Sequence, residues 1–230
     1  MKILIVGAGI AGLSLCHRLK DGKHDIDIIE KSLKKRTEGA GICLPVHAMT
    51  SFAELGFKQK ILAKSHQVTE VRFETANRKL LNKASLLEAP LNAQPFVAMQ
   101  RSDLIDILDN GLEGIIHYQR FIDSIVDDNN RSLVTFNDGT SASYDLIVAA
   151  DGINSDTRHK VFDNPELLDL QVSNWRFCIK SQDHNLQPSY LLGKNEVFMF
   201  YPINKDTLYC YGQISDPTSA YYQQDAKVAL

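Results

Sequence analysis

Three glycines and one glutamate in the first thirty residues have the types and spacing to hold a ligand that contains phosphate. The glycines form a G-x-G-x-x-G pattern at Gly7, Gly9 and Gly12. Such a pattern allows a tight turn, lets the backbone approach a pyrophosphate and lets a helix pack closely on a strand. Glu30 follows about 20 residues later, where a carboxylate can accept hydrogen bonds from both ribose hydroxyls. These residues predict binding of FAD or NAD, since the carboxylate would repel the additional phosphate of NADP.

Two strands and a helix must position these residues. Residues 2–6 form an apolar run rich in β-branched side chains, which is typical of a strand buried on both faces. A helical stretch closed by Gly22 follows, and one face of it carries the apolar residues Ile10, Leu13, Cys16 and Leu19. Residues 25–29 predict a second strand, which ends at Glu30. The complete β-α-β unit is a much more specific signal than the glycines alone.

A basic loop and a second glycine-rich turn follow Glu30. The loop contains Lys31 and Arg36, and the turn is Gly39-Ala40-Gly41-Ile42. An arginine and backbone amides beyond a strand that binds ribose are suited to a diphosphate. Most lysines in such a loop are simply solvated, so Arg36 is the stronger candidate.

Two charged residues follow other predicted strands. Residues 96–99 predict a strand, and Arg101 lies just before Ser102, which is a good N-cap for the next helix. Its guanidinium can reach an anion from that position. Residues 146–150 predict another strand buried on both faces, which stops at Asp151-Gly152. Ligands bind at the carboxyl ends of strands in open α/β sheets, although an Asp-Gly there is more often only a turn.

The last third of the chain is rich in predicted strands and poor in predicted helices. Strands are expected at residues 175–180, 196–201 and 207–214. Tyr209, Tyr211 and Gln213 alternate with apolar or small residues in the last of these, so one face of the strand is aromatic and polar. Such a face could cover a flat ligand, and it could equally be one wall of an ordinary core.

Composition excludes several classes of function. The chain has 230 residues and a net charge of −3, which argues against nucleic acid or an anionic membrane as the main partner. No stretch is long and apolar enough to span a bilayer, and the spaced glycines explain the N-terminus better than a secretion signal does. The cysteines lack metal-ligand spacing and are expected to be reduced in the cytoplasm; they are Cys16, Cys43, Cys178 and Cys210.

Taken in order, the motifs resemble the FAD-dependent aromatic hydroxylases (monooxygenases) of the para-hydroxybenzoate hydroxylase type. The resemblance runs from residue 1 to about residue 214, and Tyr201-Pro202-Ile203 with the tyrosine-rich strand after it also resembles the sheet of that family's substrate domain. The motifs that carry it are Gly7-x-Gly9-x-x-Gly12, Glu30 with Arg36, Gly39-Ala40-Gly41-Ile42, Gln100-Arg101-Ser102-x-Leu104 and Ala150-Asp151-Gly152-x-x-Ser155-x-x-Arg158.

The resemblance implies an α/β fold in which a β-rich substrate domain is inserted into a Rossmann-like FAD-binding domain. The FAD-binding domain is expected at residues 1–67 and 96–165, and the substrate domain at residues 68–95 and 166–230. The family also has a later Gly-Asp motif that binds the riboflavin part of FAD, and this sequence lacks it. We therefore expect a C-terminally truncated form, either the amino-terminal part of a longer protein or a shortened homologue.

The resemblance also implies a reaction. NADH or NADPH would transiently reduce FAD, and a flavin hydroperoxide formed with O₂ would hydroxylate a small, usually aromatic substrate. No catalytic acid, base or metal ligand can be identified. The residues expected to bind the cofactor are Gly7, Gly9, Ala11, Gly12, Glu30, Lys31, Arg36, Gly41, Ile42, Arg101, Ile122 and Asp151.

Other functions remain open at this point. The same architecture serves FAD-dependent ring or polyprenyl reductases and halogenases, although a halogenase usually needs lysine and tryptophan motifs that we cannot identify here. The chain could also be a non-catalytic FAD-binding module that has lost turnover. An NAD dehydrogenase is disfavoured because Arg101 and Asp151-Gly152 would then have no explanation.

Overall fold

The computed structural model describes residues 1–35, 40–128, 130–162, 167–183 and 185–221. In chain order, the helices and strands are β1 (Lys2–Val6), α1 (Ile10–Leu19), β2 (Asp25–Glu30), β3 (Gly41–Leu44), α2 (Val46–Glu54), α3 (Lys58–Ala63), β4 (His66–Val68), β5 (Glu70–Thr75), β6 (Leu80–Ser85), β7 (Phe96–Gln100), α4 (Arg101–Asp109), β8 (Ile116–Tyr118), β9 (Ile122–Asp128), β10 (Arg131–Phe136), β11 (Ser141–Tyr144), β12 (Leu146–Ala149), α5 (Asp156–Val161), β13 (Val172–Lys180), β14 (Ser189–Leu192), β15 (Glu196–Pro202) and β16 (Thr207–Ser215).

The chain divides into two compact units. Met1–Thr37 and Leu104–Leu167 form the first unit, and Glu38–Asp103 and Leu168–Leu230 form the second. This is a division by packing, whereas the domain boundaries predicted from the sequence divide the chain by the ligand that each part is expected to hold. The assignment of residues to FAD-binding and substrate domains therefore stays a prediction.

A parallel sheet organises the first unit. Its four strands lie in the order β12-β1-β2-β8, and every neighbouring pair is parallel. Ile3, Leu4 and Ile5 are almost completely buried, as predicted for a strand covered on both faces. An antiparallel sheet, β11-β10-β9, follows, with Gly139 in the left-handed region (φ +78°) at the predicted Asp-Gly hairpin turn. The predicted β-α-β unit and hairpin are thus confirmed.

Three details of strand β12 and of helices α1 and α4 differ from the prediction. β12 is the edge strand of the described sheet, and Leu146 and Ala149 are exposed, so the strand is not buried on both faces. Its apolar composition predicted burial, but burial depends on whether another element packs beside it. Helix α1 ends at Leu19, before Gly22. Helix α4 begins at Arg101, so Ser102 is inside the helix and does not precede it.

Two sheets build the second unit. The larger has the order β13-β16-β15-β14-β5-β6 and is antiparallel except for the parallel pair β14 and β5. The smaller is antiparallel, in the order β3-β7-β4. Strands β13, β15 and β16 of the larger sheet lie where the last third of the sequence predicted strands, whereas β14 was not predicted. One buried cluster of this unit consists of Val68, Val71, Ala98, Tyr201, Ile203 and Tyr209.

The fold class predicted from the sequence is confirmed: the chain is mixed α/β, with a parallel sheet and additional β-rich sheets. All four cysteines are free thiols, two of them buried. Within the described ranges, no helix combines the length and apolar character needed to cross a membrane.

Candidate functional site

Two of the three glycines in the first loop are required by close backbone contacts. Gly7 has φ +107°, and a Cβ atom there would lie 2.5 Å from the carbonyl oxygen of Ala150, at the end of β12. A Cβ on Gly12 would overlap the carbonyl oxygen of Gly7 and lie 3.2 Å from a methyl carbon of Ile5. These two glycines therefore allow β1, β12 and α1 to approach one another closely.

Gly9 is different, because a Cβ atom there would meet no atom within 4 Å. The residue is the N-cap of α1 and makes no side-chain cap, so backbone N–H groups of the first helical turn are available to another partner. Ala11 is exposed in that turn, and the turn contains no acidic residue. Open space, helical N–H groups and the positive end of the helix dipole together favour an anion such as a phosphate.

Glu30 connects the end of β2 to this loop. One oxygen of its carboxylate accepts a hydrogen bond from the backbone N–H of Ala8 at 3.0 Å, and the other accepts one from the backbone N–H of Ser32 at 2.9 Å. Each oxygen of an ionised carboxylate can accept more than one hydrogen bond. The contacts therefore fix the orientation of Glu30 beside the glycine loop and are compatible with ribose hydroxyls as further donors.

The basic loop after Glu30 is described in part. The ammonium group of Lys31 lies 3.4 Å from a carboxylate oxygen of Asp156 in α5, and both side chains are exposed. Arg36 lies outside the described residues. The role predicted for each in binding a cofactor stays a prediction.

Asp151 is held by the short segment that follows it. Its carboxylate accepts hydrogen bonds from the hydroxyl of Ser155 at 2.6 Å and from the backbone N–H of Thr157 at 3.1 Å. Ser155 in turn caps α5 by accepting from the N–H of Arg158, and the Arg158 guanidinium donates to the carbonyl oxygen of Ile153. Burial of the Asp151 carboxyl raises its pKa, but these hydrogen bonds outweigh burial and leave the pKa below the usual value.

A groove of about 590 Å³ lies beside β12 and includes Asp151 in its lining. Its other charged residues are Asp127, Asp145 and Arg158. Three carboxylates against one guanidinium disfavour an anion, so this groove does not suit a diphosphate.

Three predicted cofactor-binding residues belong to the second unit. A Cβ atom on Gly41 would lie 2.5 Å from the Cβ of Tyr209, so the absence of a side chain at Gly41 lets β3 pack on the aromatic strand β16. Ile42 is half-buried and pairs with Met99. Arg101 is also half-buried, and its backbone N–H donates to the carbonyl oxygen of Ala40 at 3.2 Å. Within the described part of the chain, its guanidinium forms no hydrogen bond or ion pair.

The side chain of Ile122 lies in the core of the first unit and is only 4% exposed. It packs with residues of the parallel sheet and of the antiparallel sheet, including Leu4, Ile29 and Phe136. The resemblance implies that Ile122 lies beside an adenine. Because its side chain is buried, its backbone is better placed to contact the base.

Sequence reasoning missed the partners that fix these positions. The backbone N–H of Ala8 orients Glu30, and Ser155 and Thr157 orient Asp151. A serine three residues before Arg158 and directly before Asp156 is a recognisable N-cap signal, which could have predicted α5. No sequence pattern predicts the contact of Ala8 with Glu30, because this contact depends on how the loop lies beside β2.

Together, the parallel sheet, the glycine turn into α1 and the oriented carboxylate at the end of β2 define a dinucleotide-binding protein of the Rossmann-like class. Residues 1–215 match the model of the family described as FAD binding domain. The chain belongs to this family, which consists of flavin-dependent monooxygenases, and the resemblance predicted from the motifs is thereby confirmed.

Individual relatives agree with this membership. A flavin-dependent monooxygenase from an unidentified prokaryote is 32% identical over 162 residues, which are 70% of this chain and 42% of the relative. The 2-heptyl-3-hydroxy-4(1H)-quinolone synthase of Pseudomonas aeruginosa is 29% identical over 196 residues, which are 84% of this chain and 50% of the relative. The chain thus spans half or less of the curated relatives that it matches.

A solved structure has the same fold. Klebsiella pneumoniae HpxO, in its complex with FAD and uric acid, superposes with a TM-score of 0.86 at 23% identity. The alignment covers 99% of this chain and 59% of HpxO. Identity at that level supports the fold alone.

Proposed function

We propose that this chain binds FAD and serves in a monooxygenase that uses NADH or NADPH and O₂ to hydroxylate a small aromatic substrate. The observation that carries the proposal is the pairing of an open Gly9 loop with an oriented Glu30 carboxylate in a member of the FAD binding domain family. Because the chain spans half or less of its curated relatives, its own catalytic activity is part of the proposal.

The residues in the first unit fit the adenosine diphosphate part of FAD. The space above Gly9 and the N–H groups of the first turn of α1 would hold the diphosphate, and no carboxylate in that turn opposes it. Glu30 would accept the ribose hydroxyls while remaining bound to Ala8. When bound, FAD supplies the redox chemistry, namely hydride acceptance and the activation of O₂.

The protein's own contribution is to bind and orient. The backbone contacts of Gly7 and Gly12 would keep the loop rigid, so that the cofactor meets N–H groups that are already aimed. The guanidinium of Arg101 is half-buried, pairs with no group among the described residues, and is suited to an anionic or carbonyl group of FAD. Asp151 would act as a positioning residue, because Ser155 and Thr157 already occupy its carboxylate.

The first experiment measures flavin in the purified protein by visible absorption, together with oxidation of NADH and NADPH with and without aromatic compounds. Wild-type protein is expected to retain FAD. Gly9→Val places a branched side chain in the open space and is expected to abolish retention, while the thermal unfolding temperature stays within a few degrees of wild type. Glu30→Ala is also expected to abolish it. The control is Asp25→Ala at the other, exposed end of β2.

Each outcome separates the remaining functions. Flavin retention with substrate-stimulated oxidation supports the monooxygenase. Retained flavin without any oxidation of NADH or NADPH would indicate a non-catalytic module. Reduction of the added compound without incorporation of oxygen into it would indicate a reductase of the same fold. Full flavin content in Gly9→Val would contradict the proposed cofactor site.

Arg101 gives a separate test in the second unit. Arg101→Ala is expected to weaken FAD binding by about 1.5–3 kcal/mol, the usual worth of a hydrogen bond to a charged group. The measurement is the dissociation constant by titration of the FAD-free protein. Lys64→Ala is a matched control, since it removes an exposed cation whose partner is Asp103. An unchanged FAD affinity in Arg101→Ala would remove this residue from the proposed site.

A further inference from the structure

A cavity of about 610 Å³ lies at one end of the six-stranded sheet in the second unit, where β13 and β15 finish and β16 begins. Small-molecule sites usually enclose about 300–1,000 Å³. Residues 66–69 at β4, residues 186–188 before β14 and residues of the turn from β15 to β16 line it. None of these lining residues is predicted to bind FAD, so the cavity is a candidate site for a second ligand.

The floor of this cavity is apolar. Val68 is 2% exposed, Leu208 is 7% exposed, and Pro188 is also buried. Leu186 and Pro202 line the same cavity and are half-buried. A ligand would therefore contact the floor through dispersion between its own C–H groups and these aliphatic side chains.

The mouth of the cavity is polar, because the lining side chains that remain exposed can form hydrogen bonds. Three of them come from one segment, namely His66, Gln67 and Thr69. Among the described residues, none of these three side chains forms a hydrogen bond or an ion pair. Their donors and acceptors are therefore available to a ligand.

Two exposed amides on the other segments use only part of their hydrogen-bonding capacity. The NH₂ group of Gln187 donates to the carbonyl oxygen of Asn185 at 3.4 Å, which leaves the side-chain oxygen of Gln187 as an acceptor. The side-chain oxygen of Asn204 accepts from the backbone N–H of Asp206 at 3.0 Å, which leaves the NH₂ group of Asn204 as a donor. Polar groups from three segments thus surround the mouth.

The charges in the lining are balanced. Partial burial lowers the pKa of His66, so its ring is neutral at neutral pH and has one donor and one acceptor. The lining contains one ammonium group, on Lys205, and one carboxylate, on Asp183. Opposite charges in equal number favour neither an anion nor a cation, so the lining suits an uncharged ligand.

The shape of this lining distinguishes between uncharged ligands. Its described residues include no phenylalanine, tyrosine or tryptophan, so a flat aromatic ring would have no such side chain to stack on. A pyranose sugar has hydroxyl groups around its edge and C–H groups on its faces. Each hydroxyl both donates and accepts a hydrogen bond. A sugar therefore matches a polar mouth above an aliphatic floor.

We infer that this cavity binds an uncharged sugar, held by hydrogen bonds to His66, Gln67 and Asn204 above the aliphatic floor. The inference goes beyond the proposed function and does not depend on it. All of the lining residues belong to the second unit, so binding can be measured on the full chain without FAD.

The test measures binding of three neutral probes by saturation-transfer NMR and by titration: the methyl α-pyranosides of glucose, galactose and mannose. Cyclohexanol is the comparison probe, because it has a similar ring and a single hydroxyl group. At least one glycoside is expected to bind saturably, on the order of tenfold more tightly than cyclohexanol, since it forms additional hydrogen bonds. Absence of saturable binding for all three glycosides, or equal binding of cyclohexanol, would overturn the inference.

Two variants locate the binding in the cavity. Gln67→Leu removes an amide at nearly unchanged size, and His66→Phe keeps a ring without its nitrogen atoms. Each is expected to weaken glycoside binding on the order of fivefold, the worth of a hydrogen bond. The matched control is Gln182→Leu, because Gln182 is exposed and adjoins the lining residues Ser181 and Asp183 without lining the cavity itself.

The control variant is expected to bind the glycoside as wild type does. Thermal unfolding of all three variants is expected to stay within a few degrees of wild type, because the substituted side chains are exposed. Full affinity in both Gln67→Leu and His66→Phe, or an equal loss in Gln182→Leu, would show that the sugar binds elsewhere and would end the proposal.

Discussion

Two loops of the first unit were predicted as cofactor sites from equally short motifs, and the structure gives them opposite characters. The loop from Gly7 to Gly12 leaves open space above Gly9 and helical N–H groups for another partner. The loop from Asp151 to Arg158 uses its carboxylate, its serine hydroxyl and one guanidinium NH₂ group in internal hydrogen bonds, and the buried Nε of Arg158 has no partner among the described residues. Both are built at carboxyl ends of parallel strands, so position in the fold does not distinguish them.

The difference teaches how a motif should be interpreted. A loop that binds a ligand leaves polar groups for that ligand, whereas a loop that shapes the backbone uses its polar groups on itself. By this criterion we expect the glycine loop to be a binding site and the Asp151 loop to support the end of β12. Three substitutions test the comparison, beginning with the largest expected effect.

Gly12→Val should destabilise the protein most. The new Cβ would overlap the carbonyl oxygen of Gly7, and the backbone of both α1 and the loop would have to move. We expect the free energy of unfolding to fall by about 3 kcal/mol or more, measured by urea denaturation. The matched control is Gly9→Ala, which enters open space and should leave stability within about 1 kcal/mol of wild type. Equal stability of Gly12→Val and Gly9→Ala would show that the loop is not closely packed.

Asp151→Ala should have an intermediate effect and act on stability more than on FAD. Loss of the acceptor for Ser155 and Thr157 is expected to cost about 2 kcal/mol at neutral pH. Asp21→Ala, an exposed position of the same unit, is the control. A fall in FAD affinity of tenfold or more, without loss of stability, would place Asp151 in contact with the cofactor and erase the contrast between the two loops.

The same pair of proteins gives a pH test. Although burial raises the pKa of Asp151, its hydrogen bonds hold that pKa below the ordinary value in the folded protein. The stability that the carboxylate contributes is therefore fully present above about pH 4, the ordinary aspartate pKa, and is lost as the pH falls through the lower folded value. The difference in unfolding free energy between wild type and Asp151→Ala should shrink in acid.

Lys31→Ala should have the smallest effect on stability. Its ion pair with Asp156 spans 3.4 Å between side chains that are 48% and 71% exposed. Such pairs contribute about 0.5 kcal/mol or less, and salt weakens them further. The free energy of unfolding of wild type and Lys31→Ala, measured in low and in high salt, tests this contribution. If Lys31→Ala loses FAD affinity while its stability is unchanged, the residue binds the cofactor as predicted; unchanged affinity would leave it a surface residue.

Local patterns were sufficient to predict the parts of the fold in which short-range rules dominate. The glycine spacing, the apolar run of β1 and the Asp138-Gly139 turn each act over a few residues, and each was found where expected. The exposure of β12 was not predictable in this way, because an apolar strand becomes buried only if another element covers it.

The candidate site shows the same division. Gly7 and Gly12 could be assigned packing roles from spacing alone, and the structure gives each the close contacts that such a role needs. Strand β14 is four residues long and was missed, since its pairing with β5 joins residues more than a hundred positions apart.

The exposed edge of β12 has a practical consequence for work with this polypeptide. Leu146 and Ala149 are exposed, Ile147 and Val148 are half-buried, and within the described residues the outer row of backbone groups pairs with no further strand. Such a row of unpaired backbone groups can form hydrogen bonds with another extended segment, and neither lysine nor proline interrupts it. The tendency of the purified protein to aggregate will therefore depend on whether another segment covers those four residues. A single lysine substituted for Leu146 should improve solubility without touching the nucleotide loop.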